Sequence, residues 1–140
     1  MSAPIASMSG DLMSREVRLI ALDAEGLPDV FEKAAVRVIF SRYGVAVGDE
    51  DEVYIQDPDI ENARTQVTGV SRCDVLTFWR PAGTLIWRIL FDLLVEFRCF
   101  AHDAGDLMAV GSEESLRRLR ASGDWKADNA VIATTPNDLG

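Results

Sequence analysis

Between Val45 and Ala63 stand Asp49, Glu50, Asp51, Glu52, Asp57, Asp59 and Glu61, with no Lys or Arg among them. Carboxylates gathered in this way have three chemical uses. They solvate a loop, they set up a field that draws a cationic protein inward, or they ligate a divalent cation. The third use needs more than alternation. An EF-hand loop requires a further acid or amide, a Gly and a distant Glu at fixed offsets, and those are missing here. The stretch therefore reads either as wet surface or as a docking patch, in which Tyr54 would be the aromatic anchor that loses its water on binding.

A second group to consider is His102 with Asp103 and Asp106, in the sequence HDAGD, three residues after Cys99. One histidine cannot build a multi-histidine zinc site, and Asp-Ala-Gly-Asp has the composition of a turn between strands. In an extended segment Cys99 and His102 fall on opposite faces, which removes a Cys–His nucleophile pair. There is no nucleophile elbow, phosphate loop or CxxC motif. Arg117, Arg118 and Arg120 fall at the end of a helical pattern, where cations complement the helix dipole. No catalytic residue, metal site or cofactor is expected.

The elements that must carry these residues follow from pattern. Glu16–Asp23 reads as a strand, broken by Gly26-Leu27-Pro28. A helix is expected over Asp29–Tyr43, with Val30, Phe31, Ala34, Ala35, Val38 and Ile39 as its buried stripe and Gly44 as its stop. Two short strand pieces flank the acids of Val45–Gln56, Asp57-Pro58-Asp59 turns, and Ile60–Thr68 fits a short helix or a loop. Cys73–Arg80 reads as a central strand covered on both faces. Thr84 then caps a helix to Arg98, apolar all round except for Arg88, Asp92 and Glu96, with Arg88 and Asp92 spaced to pair. Strands are expected near Phe100–Ala101, Leu107–Val110 and Val131–Thr135, and Ser112 caps a third helix that Gly123 stops. Trp79 and Trp87 read as core, and Trp125 as the pin that holds the tail.

At 140 residues, with 48% hydrophobic and 26% charged residues, the chain has the make-up of one globular domain. The pattern predicts an α+β fold. It is a two-layer sandwich with a mostly antiparallel sheet of four to five strands, two main helices on one face and a short third helix. Strand, break and helix occur at Glu16–Tyr43 and again at Cys73–Arg98, the order of a ferredoxin-like domain. Residues 1–14 read as a leader, 15–123 as the domain and 124–140 as a partly docked tail. Cys73 and Cys99 read as buried, reduced thiols, in keeping with a cytoplasmic setting.

The acid run supplies −7 of a net charge of −9. So localised a field repels nucleic acid and anionic membranes and favours a basic protein partner. In bulk character (small, acidic, single-domain, without catalytic motifs) the chain resembles bacterial immunity proteins and antitoxin-like inhibitors, a resemblance of composition and not of any motif. It implies an inhibitor whose carboxylates at Asp49–Glu61 imitate the polyanion normally held by a nuclease or nucleotide-using toxin. The alternative expectation is a homo-oligomeric small-molecule-binding or enzymatic domain. In that case the Thr84–Arg98 helix makes a homodimer and a cleft lies beside His102.

Overall fold

A computed structural model describes residues 16–103, 108–123, 125 and 127–139, so the expected leader and most of the Asp103–Asp106 turn lie outside the described residues. In chain order the elements are β1 (Glu16–Ala21), α1 (Lys33–Ser41), β2 (Glu52–Gln56), β3 (Arg64–Thr68), β4 (Val75–Trp79), α2 (Leu85–Glu96), β5 (Cys99–Asp103), β6 (Met108–Val110), α3 (Glu113–Ala121) and β7 (Ala130–Ile132). Short 3-10 turns occupy Ala127–Asn129 and Pro136–Asp138. The fold is α+β, but its sheet is larger than pattern alone predicted: seven strands in the order β2-β3-β4-β1-β5-β6-β7. Every pairing is antiparallel except β6 with β7.

The topology also departs from the ferredoxin-like order, which has two strands between its helices. Here three strands, β2, β3 and β4, separate α1 from α2. The extra strand is β3, from a segment that fitted helix or loop equally well. Its alternation, with Thr65 and Val67 buried between more open neighbours, is half polar and carries little hydrophobic period. What survives of the expected pattern is the second unit. β4 and β5 are both antiparallel to β1 and lie either side of it, with α2 crossing between them.

Side-chain alternation divides the sheet into two faces. On one, Val17, Leu19, Leu76, Phe78, Cys99 and Ala101 pack with Val36, Ile39 and Phe40 of α1 and with Ile86, Ile89, Leu90, Leu93 and Leu94 of α2. On the other, Leu22, Phe100, Met108 and Val110 pack under Leu116 and Leu119 of α3. The third helix thus lies opposite the first two and covers only the β5–β7 end. The second face is left open over β2, β3 and part of β4. Trp79, expected in the core, is 41% exposed there, its indole N–H donating to Thr68 Oγ1 at 2.9 Å.

The first helix is shorter than its pattern, and its buried stripe is only in part the expected one: Phe31 and Ile39 are buried. Residues before Lys33 are extended, because Asp29 N–H donates to Ala21 O and Phe31 N–H to Cys73 O. Phe31 then meets Phe97 edge-on, with ring centroids 5.2 Å apart. Val30 and Val38, assigned to the buried stripe, are exposed, and Val36 and Phe40 fill the core in their place. Around α2, Ile86, Ile89, Leu90, Leu93 and Leu94 are buried within the chain, Leu85, Trp87 and Phe91 are half-buried, and Val95 is exposed. Asp92 is engaged by Tyr43, whose hydroxyl donates to it at 2.5 Å, and by Arg42 at 3.7 Å. Partial burial and that carboxylate raise the Tyr43 pKa to about 12.

Candidate functional site at an acidic sheet edge

The acid run occupies one edge of the molecule: the approach to β2, β2 itself, and the turn into β3. Alternation sorts its side chains. Val53 and Ile55 enter the core, while Glu52, Tyr54 and Gln56 stand on the open face. Tyr54 is 49% exposed, with the Arg64 guanidinium 4.2 Å above its ring centroid. Gln66, directly across in the register, donates to Glu52 Oε2 at 2.6 Å and to the Tyr54 hydroxyl at 3.3 Å.

Not all seven carboxylates belong to this surface. Asp57 is only 4% exposed and caps α2 from a distance in sequence: its Oδ2 accepts from Thr84 N at 2.8 Å and from Leu85 N at 3.0 Å, while Oδ1 accepts from Asp59 N at 2.8 Å. These backbone donors, Leu85 first, hold its pKa down to about 2. The cap expected of the Thr84 hydroxyl is thus supplied by Asp57. Gly83 makes room for it, with φ +92° and a hypothetical Cβ that would lie 2.5 Å from Asp57 Oδ2. Asp57 therefore serves the fold. Nothing in its local sequence beyond Asp-Pro-Asp announced that role, because its partners lie 27 and 28 residues away.

Asp51 also has internal work. Its carboxylate accepts from the Ser71 hydroxyl at 2.6 Å, and this bond is the main cause of its lowered pKa. Asp49 lies 3.5 Å from Arg37, and its side chain is fully exposed. The carboxylates of Glu50, Asp59 and Glu61 are exposed and make no ion pair or hydrogen bond among the described residues. Glu50, Glu52, Asp59 and Glu61 thus remain spread along the edge, spanning about 17 Å of strand plus its two turns. Beside β2 lies a cleft of about 680 Å³, walled by Val45, Val53 and Ile55 and rimmed by Asp49, Glu50 and Glu52.

Elsewhere, His102 packs against Trp125 at 5.0 Å, and the same indole meets Phe100 edge-on at 5.0 Å, pinning the start of the tail to β5. With Glu16, Arg18 and Asp103, His102 lines a depression of about 120 Å³. Cys99 faces the opposite side of the sheet, within the first core cluster, where complete burial pushes its thiol pKa far up. Cys73 is likewise buried with a raised pKa, so neither thiol is poised as a nucleophile. Among the described residues no group of three or more His, Cys, Asp or Glu can hold a metal ion, and no helix is long and apolar enough to cross a membrane. Arg117 and Arg118 are held by Glu114 at 2.6 and 2.9 Å within α3. Comparison of the chain with family models, curated proteins and solved structures finds no match.

Proposed function

We propose that the chain is a protein-binding module of inhibitor type, comparable in character with immunity proteins and antitoxins, whose β2 edge docks on a basic partner protein. The observation that supports this is that four carboxylates stay exposed around β2: Glu50 and Glu52 by the half-exposed Tyr54, and Asp59 and Glu61 in the β2–β3 turn. Like charges on β2 and in the turns at its two ends present an anionic outline, comparable with the polyanion that a nuclease or nucleotide-using toxin holds. The aromatic supplies a desolvated anchor and the charges supply orientation and on-rate. Nucleic acid and anionic membranes are repelled by the same field, so the setting proposed is the bacterial cytoplasm.

The test compares wild type with a fourfold charge reversal, E50K/E52K/D59K/E61K. Each is used to capture partners from the producing cells at about 0.05 M and about 0.5 M NaCl, and the purified partner's activity is then assayed with each protein added. A basic partner retained by wild type at low salt only, and inhibited by wild type but not by the reversed protein, is the result expected. A partner held equally at both salts, or by both proteins, would defeat charge-steered docking.

The depression beside His102 supports the second reading, a homo-oligomeric ligand-binding or enzymatic domain. Light scattering and His102→Ala separate the two. A dimer whose ligand binding falls with the histidine favours the second reading, and a monomer indifferent to the change removes it.

A further inference from the structure

We infer that β2 binds its partner by strand addition, and that the segment added is an extended stretch alternating basic and apolar residues. This rests on the docking reading above and states how that edge is used. The hydrogen-bond phase of the hairpin carries the argument. Asp57 N–H donates to Ala63 O and Gly69 N–H donates to Asp51 O, so the residues bonded to β3 are the odd-numbered ones. Glu52, Tyr54 and Gln56 therefore aim their backbone N–H and C=O groups outward, and no described residue takes them up. β2 is the terminal strand of the sheet, so this row of donors and acceptors borders the cleft. Proteins blunt such edges, or use them.

The walls of the cleft specify the occupant. A strand paired antiparallel to β2 places the residues that bond to Glu52, Tyr54 and Gln56 on the same face as those side chains. That face carries Glu52, beside Tyr54 and the Arg64 guanidinium over its ring, and Glu50 also lines the cleft, so a Lys or Arg belongs opposite Glu52. The intervening residues fall on the other face, against Val45, Val53 and Ile55, where apolar side chains belong. Charge and pleat thus ask for one pattern, in one phase.

The experiment uses blocked, fluorescent heptapeptides alternating Lys and Val, read by anisotropy against the full chain at low salt. One peptide is N-methylated at its lysines and another at its valines. The lysine residues are the ones whose N–H groups meet β2, so lysine methylation is expected to weaken binding at least about tenfold while valine methylation leaves it near the parent. Tyr54→Pro removes an outward N–H without breaking the hairpin ladder, so it is expected to bind at least about tenfold more weakly than Tyr54→Ala. Should the proline variant not fold, as read by circular dichroism, the methylated pair decides alone. Equal binding by both methylated peptides overturns strand addition, while the docking reading stands if E50K/E52K/D59K/E61K still abolishes binding. Binding by none of the peptides overturns strand addition and counts against the charge-steered reading as well.

Discussion

Asp57 illustrates how residue type underdetermines role. It sits in the middle of an acidic run, yet its carboxylate is spent on the N-terminus of α2. A carboxylate at that position satisfies backbone N–H groups that have no helical partner and sits at the positive end of the helix dipole. Its removal therefore weakens the fold and leaves docking intact. Asp57→Ala is expected to lower the melting temperature by several degrees at neutral pH, while the charge-reversed edge variants shift it little. The pH dependence has a definite sign. The pKa of Asp57 is depressed in the folded chain, so its contribution is complete above the ordinary carboxyl range and fades as pH falls toward about 2. Thermal melts of wild type and Asp57→Ala between pH 7 and 2 check this: the two curves should converge as the solution becomes acid. A constant gap across that range would show that the carboxylate is not what the helix end uses.

At the scale of elements, legibility in the sequence followed how local the cause was. α3 was largely readable: Ser112 accepts from Ser115 N at 3.1 Å, Glu113 and Glu114 occupy its first turn and Arg118 and Arg120 its last, while Arg117 lies earlier and bonds Glu114. β4 was readable as a strand between two others, though its second face is open at Trp79. The stripe of α1 is legible only in part: Phe31 and Ile39 are buried as expected, but Val30 and Phe31 belong to an extended segment fixed by long-range backbone bonds, so Val36 and Phe40 take the places expected of Val30 and Val38. That correction is testable. Phe40→Ala empties a fully buried position and should cost about 3–5 kcal/mol. Val38→Ala, at a position 54% exposed, should stay within about 0.5 kcal/mol. Urea unfolding with an unchanged slope measures both. Similar costs at the two sites would place Val38 in the buried stripe after all.

For the whole molecule, the unreadable part was strand order and the use of the second face. Both depend on contacts between distant segments: β1 pairs with β4 and β5, which begin 59 and 83 residues later. The acidic candidate site was legible as charge, but its arrangement along an edge strand was not, because the phase of a hairpin is invisible until its partner is known. That arrangement has a signature independent of any ligand. In the β2–β3 hairpin the amides of Val53 and Ile55 are bonded to β3, while those of Glu52, Tyr54 and Gln56 face outward. Amide hydrogen exchange resolved by residue should therefore alternate along β2, fast at the even positions and slow at the odd ones. It should slow further toward β1, which has strands on both sides and a buried face. Uniform protection along β2 would mean that its outer edge is already paired, by another copy or by another part of the chain. Strand addition by a partner would then have no edge to use.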